Sequence, residues 1–467
     1  MIPLTLAEIA AITGGSVTLG GEAGPGAVVT GPVVIDSRRV TPGALFAALP
    51  GERADGHDFA AAAAASGAVA VLASRPVPGV PAVIVPDVTA ALAALARAVL
   101  DRLPGVIVAG ITGSSGKTST KDLTAQLAER LGPTVAPEGS YNNELGLPLT
   151  VLRADEQTRY LIAEMSARGT GHIARLCAIA PPSIGAVLCV GHAHAGDFGG
   201  IDAVARAKSE LPAALPPGGW ALLNADDPRV RAMAAVTRAE VMLFGRSEDA
   251  TVRATGVTVD ETGRPAFTLV TPSGSAPVRL RLRGEHNVSN ALAAAAVADR
   301  LGRPAADIAA GLSAAEARSR WRMEVTERPD GVTVINDAYN ANPEAMRAAL
   351  STLQIIARGR RAFAVLGYMT DLGPEEVPAH EQLGRDAASA GLTGLIVVGD
   401  AAAPILAGAR SHPTWRGELV GVSSTSAAIQ AMRDRLRPGD AVLVKASRVA
   451  AIEGIALALA GEKEPAR

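Results

Sequence analysis

The chain has 467 residues, a length that suggests about three domains. Its residues are 48% hydrophobic but only 3% aromatic, so the core is aliphatic, and a formal net charge of −2 excludes the global basic field of a nucleic-acid binder. Two cysteines, Cys177 and Cys189, make no disulfide framework, and no apolar run reaches the roughly 20 residues a membrane helix needs. The N-terminus lacks the basic stretch and long apolar core of a secretory leader, so the expectation is a cytoplasmic protein without a nucleic-acid or membrane partner.

Residues 1–104 alternate apolar strands with alanine-rich helices. VVIDSR (33–38), ALFAALP (44–50), AVAVLAS (68–74) and PAVIVP (81–86) read as strands, Asp58 as the cap of a helix through Ala65, and ALAALARAVLDRL (91–103) as a helix. Leu103-Pro104-Gly105 breaks the pattern and marks a boundary. Residues 105–314 open with the strand VIVAGIT, a glycine-rich loop and a helix from Thr118. YLIAEM (160–165), IGAVLCV (184–190) and WALLNA (220–225) continue a buried, mostly parallel sheet. The alternating stretch 250–283 predicts antiparallel strands, and NALAAAAVADRLG a helix. Residues 315–467 repeat strand and helix through VTVIND, AFAVLG, LIVVGD, GELVGV and AVLVKAS. That pattern is Rossmann-like, although no G-x-G-x-x-G is present. The fold class expected is therefore three-domain α/β.

The loop Gly113-Ser114-Ser115-Gly116-Lys117-Thr118-Ser119 sits between a strand and a helix. Its glycines let backbone N–H groups converge on phosphate oxygens, the helix N-terminus adds partial positive charge, Lys117 reaches terminal phosphates, and Thr118 offers a hydroxyl to Mg2+. Ile111 stands where the strict motif wants its first glycine, so the loop is a shortened variant.

The chain has five lysines (117, 121, 208, 445 and 463) against 39 arginines. A chain so biased toward arginine keeps lysine where a compact or deprotonatable amine is useful, which draws attention to Lys117, Lys208 and Lys445. Lys208, among apolar helix neighbours, reads either as a snorkelling surface residue or as an amine with a lowered pKa. Glu164 ends a strand and reads as a metal ligand or as a helix-capping or solvated carboxylate. Two histidines, His192 and His194, stand in a glycine-rich loop after another strand. Asn287 and Asn290 are helix caps or contacts to a base edge. Asp337, Asn340 and Asn342 form either a polar turn or a nucleotide or substrate contact. Lys445 and Arg448 follow a strand and read as an anion site or a solvated helix start.

In this order the motifs resemble the Mur ligases. DSRRVTPGALFAALPGERADGHDF is similar to that family's uridine-nucleotide domain, GSSGKTSTK to its ATP loop and YNNELGLPLTVL to its NN-x-x-G-x-P-x-T segment. EMSARGTGHI and GHAHAGDFGG…AKSEL resemble its metal region, HNVSNALAA its adenine-contacting region, and DAYNANPEAM and KASR its C-terminal motifs. YNANP points to the branch that adds D-alanyl-D-alanine to UDP-N-acetylmuramoyl-tripeptide.

The resemblance implies a monomeric ATP-dependent amide ligase that works through an acyl phosphate. Thr118, Glu164 and His194 would hold Mg2+, and Lys208 would carry a CO2-derived carbamate. Lys117 would steer the γ-phosphate, and Asn287 and Asn290 would approach adenine. Arg320 and Asp337 would reach ATP, Ser37 and Arg38 would meet the UDP end, and Asn142 and Asn143 would line the muramoyl-peptide site. Ser166, Cys189 and Tyr368 depart from the family pattern. A ligase of the same build with another amino-acid substrate, a P-loop kinase and a non-catalytic nucleotide-binding relative are the alternatives.

Overall fold

The computed structural model describes residues 1–18, 20, 24–51, 54–192, 195–413 and 415–462. It has three large sheets that follow one another along the chain, plus a small antiparallel pair, Leu4–Thr5 with Val28–Val29.

The first sheet has five strands. Val33–Val34, Leu45–Ala47, Ala70–Ala73 and Ala82–Ile84 run parallel, and Ser16–Thr18 adds an antiparallel edge. The helix Val88–Asp101 begins where the Asp87 side chain accepts hydrogen bonds from the N–H groups of Thr89 and Ala90. Its Leu92, Leu95 and Val99 form a buried stripe at helical spacing. Burying each such side chain stabilises the fold by about 1.5–3 kcal/mol. Asp58 is not a helix cap. Asp55 accepts from His57 N at 3.0 Å and opens a short 3-10 turn, Gly56–Phe59, and the α-helix follows as Ala60–Ala65. An Asp that bonds the backbone two residues ahead competes with a helix start, so the cap falls earlier than the hydrophobic pattern suggests.

The central sheet has nine strands. Six parallel ones, from Thr134–Val135 at one edge through Tyr160–Glu164, Ile107–Thr112, Ile184–Val187 and Trp220–Asn224 to Glu240–Gly245, continue into Val252–Val259. That strand opens the antiparallel meander read in 250–283. Ile107–Thr112 lies between Tyr160–Glu164 and Ile184–Val187, and the strand order reverses around it. Crevices at such switch points, outside the carboxyl ends of strands, are where open α/β sheets bind ligands.

Helix Asn287–Arg300 packs on helix Lys117–Glu129. Its alanines 291, 293, 294, 295, 296 and 298 are all buried. Small side chains let the two helices approach closely, and alanine costs least in a helix. The third sheet has six strands: Thr333–Asn336, Ala441–Lys445, Ala362–Leu366, Gly394–Val398 and Glu418–Val422 run parallel, with Glu324–Glu327 antiparallel at the edge. Among the described residues no helix is long and apolar enough to cross a membrane.

Candidate active site

A cleft of about 850 Å³ opens at the switch point. Its floor is the loop after Ile107–Thr112, its sides are the ends of the two neighbouring strands, and residues of the third sheet's module complete it.

Gly116, at φ +81°, ends the loop and begins the helix. An alanine there would be strained, and its Cβ would run into Asn290 Oδ1. Lys117 is half-buried and its Nζ donates to Gly113 O at 2.7 Å. Ser114 Oγ donates to Gly191 O at 3.1 Å, and Ser115 N donates to Cys189 Sγ at 3.4 Å, so the loop rests on the segment after the strand Ile184–Val187. Ser119 lines the cleft one residue into the helix after Thr118.

Hard oxygen donors gather at the helix start. Thr118 Oγ1 donates to Glu164 Oε1 at 3.2 Å, and Asn142 Nδ2 donates to the same oxygen at 2.7 Å. Glu164 is buried, and its Oε2 has no partner among the described residues. An orphaned, buried carboxylate oxygen beside a hydroxyl suits a small divalent cation, which takes one or two protein oxygens and fills the rest of its shell from phosphates and water. Among the described residues no cluster of three His, Cys, Asp or Glu exists to hold a metal outright. His194 lies outside the described residues.

Lys208, on helix Ile201–Ala214, is buried and has no hydrogen bond or ion pair among the described residues. Burial, and next the positive charge of Lys117, push its pKa down to about 7. Burial also lowers the Lys117 pKa, against the opposing charge of Glu164. The snorkelling reading of Lys208 therefore fails: the amine is held inside the protein and is easily neutralised.

Asn287 and Asn290 are buried cleft residues and not caps. Asn290 Nδ2 donates to Asn287 Oδ1 at 2.9 Å, Asn287 Nδ2 donates to Arg283 O at 2.8 Å, and the N-cap His286 makes no side-chain cap. Asp337 Oδ1 accepts from Met323 N at 3.0 Å and its Oδ2 from Lys445 Nζ at 2.6 Å. Lys445 also donates to Asn340 O at 2.8 Å, and Asn342 caps helix Pro343–Ile356 by accepting from Ala345 N at 2.8 Å. All four line the cleft.

Two of the expected site residues stand away from the cleft lining. Arg320 is exposed and does not line the cleft. Arg322 takes that place, donating from Nη2 to Thr118 Oγ1 at 2.8 Å and Ser140 Oγ at 3.0 Å, with its guanidinium 4.2 Å over the Tyr339 ring. Trp321 and Met323 on either side have φ of 58° and 52°, a left-handed conformation that costs a non-glycine residue energy and here turns Arg322 across to the loop. Arg448 is exposed too. It pairs with Glu453 and lies 4.4 Å over Trp321, away from the cleft lining.

Ser37 and Arg38 line a second cavity of about 800 Å³ with Phe46 and Tyr141. Arg38 pairs with Asp36 at 2.9 Å, and Asp36 caps the turn Ser37–Arg39. One loop joins the two cavities: Glu138 and Tyr141 line the second, while Ser140, Asn142 and Asn143 line the first. Asn143 Oδ1 turns that loop by accepting from Gly146 N at 2.8 Å, and Lys121, paired with the buried Asp122, ties it down by donating to Pro137 O at 2.9 Å. Sequence reasoning missed Ser140, Lys121 and Arg322. The alternation Arg320-Trp321-Arg322 carried a signal for Arg322, but nothing in the pattern chose between the two arginines.

The chain matches the Mur ligase family, catalytic domain, over residues 32–100, the Mur ligase middle domain over 111–298, and the Mur ligase, glutamate ligase domain, over 321–448. The UDP-N-acetylmuramoyl-tripeptide–D-alanyl-D-alanine ligase of Mycobacterium tuberculosis is 48% identical, with 99% of this chain and 98% of that protein covered. The Escherichia coli ligase of the same name is 36% identical over 98% of this chain and 99% of its own. Among solved structures, MurF from Acinetobacter baumannii superposes with a TM-score of 0.87 at 31% identity, covering 98% of this chain and 99% of that one. The Thermotoga maritima MurF ligase in complex with ADP superposes with a TM-score of 0.80 at 29% identity, over 93% and 98%. Three sheets in this order, with a shortened phosphate loop at the switch point of the second, define a Mur ligase fold. The chain belongs to the Mur ligase family.

Gly116→Ala is expected to lower ATP affinity about tenfold or more by strain in the loop and displacement of Asn290. Calorimetric titration with ATP measures this, and an unchanged far-UV circular dichroism spectrum shows that the fold survives.

Proposed function

We propose that the chain is a cytoplasmic, ATP-dependent ligase of peptidoglycan-precursor synthesis that joins D-alanyl-D-alanine to UDP-N-acetylmuramoyl-tripeptide. The observation that carries the reading is the loop from Glu138 to Asn143, which lines both cavities. A substrate with its uridine nucleotide near Ser37 and Arg38 can run along this loop and present its peptide carboxylate beside Thr118 and Lys117. The near full-length relatives carry that ligase name, and one solved relative holds ADP. The three family matches each fall inside one of the segments 1–104, 105–314 and 315–467, which we propose as the domains.

The chemistry must bring a carboxylate to a phosphate, so positive charge has to offset the repulsion. Residues Gly113 to Ser119 wrap the phosphates with backbone N–H groups. Lys117 leaves Gly113 O for the γ-phosphate and orients it toward the carboxylate. Arg322 adds a second cation from the C-terminal module. Asn287 and Asn290 face the base, and Asp337 the nucleotide from the other side. Asn142, Asn143, Asn340, Asn342 and Lys445 position the peptide substrates. Thr118 and Glu164, with His194, would hold Mg2+, whose contribution is to neutralise charge on the phosphates. The carboxylate oxygen attacks phosphorus and ADP leaves. The amine of D-alanyl-D-alanine then attacks the acyl carbon, phosphate leaves, and one proton is released. The C-terminal module covers the cleft and keeps water from the acyl phosphate.

Lys208 is assigned as the residue that takes up CO2. Forming a carbamate needs a neutral amine, and a pKa of about 7 supplies one at neutral pH. The product is an anion beside Lys117, which replaces a repulsion between two cations with an attraction.

Lys117→Ala is expected to retain the fold and lose ligation by about a hundredfold or more. Phosphate release with UDP-N-acetylmuramoyl-tripeptide, measured with and without D-alanyl-D-alanine, reads it. Release that ignores the dipeptide in the unmodified protein overturns the reading. Lys208→Ala is expected to be inactive and partly rescued by short carboxylic acids, and to lack the carbamate carbon resonance that 13C-bicarbonate gives the unmodified protein. That resonance weakens as pH falls through about 7, because the amine is then protonated.

A further inference from the structure

Glu344 takes no part in the contacts assigned to ATP, Mg2+ or the muramoyl peptide. It stands in the first turn of helix Pro343–Ile356, a place where a carboxylate ordinarily points to water and helps the helix dipole. Here it crosses to the central module instead. Its Oε1 lies 2.8 Å from His192 Nδ1 and accepts from His192 N at 3.3 Å. Its Oε2 is buried and has no partner among the described residues. The approach depends on Gly191, where an added Cβ would stand 3.1 Å from the Glu344 carboxyl carbon. Glu344 also lines the same cleft as Lys117, Asn142 and Lys445.

A buried carboxylate oxygen without a donor is costly unless a ligand satisfies it. Two of the cleft's cations are committed elsewhere: Lys445 to Asp337 and Asn340, and Arg322 to Thr118 and Ser140. ATP and the muramoyl tripeptide bring mainly anionic groups to this cleft. The one ligand that brings an ammonium group as its reactive end is the incoming dipeptide.

We propose that Glu344 is the residue that selects and orients the α-ammonium group of the acceptor dipeptide, holding its nitrogen beside the acyl carbon by a charge-assisted hydrogen bond to Oε2. This rests on the ligase reading above. The contact orients the amine in the ground state. The carboxylate sits on the C-terminal module and is tethered to His192 of the central one, so the acceptor site exists only where the two modules meet.

The test uses the full-length enzyme, with Glu344→Gln and, as a control for the tether, His192→Ala. Hydrogen bonds to charged groups are worth enough that Glu344→Gln should raise KM for D-alanyl-D-alanine about tenfold or more, with KM for ATP and for the muramoyl tripeptide within about twofold. The neutral analogue D-lactoyl-D-alanine, with a hydroxyl in place of the ammonium, provides the second readout. The unmodified enzyme should bind the ammonium form much more tightly than the hydroxyl form, and Glu344→Gln should lose that preference. His192→Ala, which keeps the carboxylate, should retain the preference. If Glu344→Gln raises all three KM values alike, or keeps the preference for the ammonium form, Glu344 is only an interdomain tether and the proposal fails. If the unmodified enzyme releases no extra phosphate with D-alanyl-D-alanine, the ligase reading fails first, and the assignment of Glu344 fails with it.

Discussion

The structure is organised by the cost of keeping positive charge out of water. Lys117 and Lys208 both stand in or under the cleft, burial lowers the pKa of both, and the charge of Lys117 lowers that of Lys208 further. Among the described residues neither amine is in an ion pair, and Glu164 and Cys189 are the groups that favour the charged form of Lys117. That imbalance is what a site for polyanionic ligands needs: phosphate oxygens are drawn into a region where the protein alone is short of negative charge. The sheet's switch point makes the arrangement possible, because three adjacent strand ends place the loop, Glu164 and the Cys189 segment around one point.

The C-terminal module completes the site through a small number of directed contacts. Arg322 reaches the Thr118 hydroxyl across a backbone bent at Trp321 and Met323, and Glu344 reaches the His192 backbone and ring. Among the described residues neither side chain has a hydrogen-bond partner within its own module, so both give the two modules a preferred relative position. The loop held by Lys121 does the equivalent work on the other side, joining the two cavities.

Much of this was legible in the sequence, for identifiable reasons. The strand–loop–helix around GSSGKT and the Ile111 departure are local features, and so are the alternating strands of 250–283 and the parallel runs of the last third. The scarcity of lysine pointed to Lys117, Lys208 and Lys445, all of which stand in or beside the cleft. The same argument passed over Lys121, whose partner Pro137 is 16 residues away and carries no pattern. Ser140 and Arg322 were missed because their meaning depends on a contact between modules 182 residues apart. Arg320 was preferred over Arg322 because periodicity cannot foresee two left-handed residues in succession. Asn287 and Asn290 sit at a helix start, where sequence alone cannot separate a cap from a buried amide pair.

The central claim is that this cleft couples ATP to activation of a peptide carboxylate. Its most direct test is to label the terminal carboxylate of UDP-N-acetylmuramoyl-tripeptide with 18O and follow the label during ligation. Carboxylate attack on the γ-phosphate, followed by amine attack on carbon, transfers one 18O atom from each ligated carboxylate to the released inorganic phosphate. Mass spectrometry should find that label in phosphate and one labelled oxygen retained in the amide product. Phosphate released without the label, at a rate matching ligation, would contradict the account.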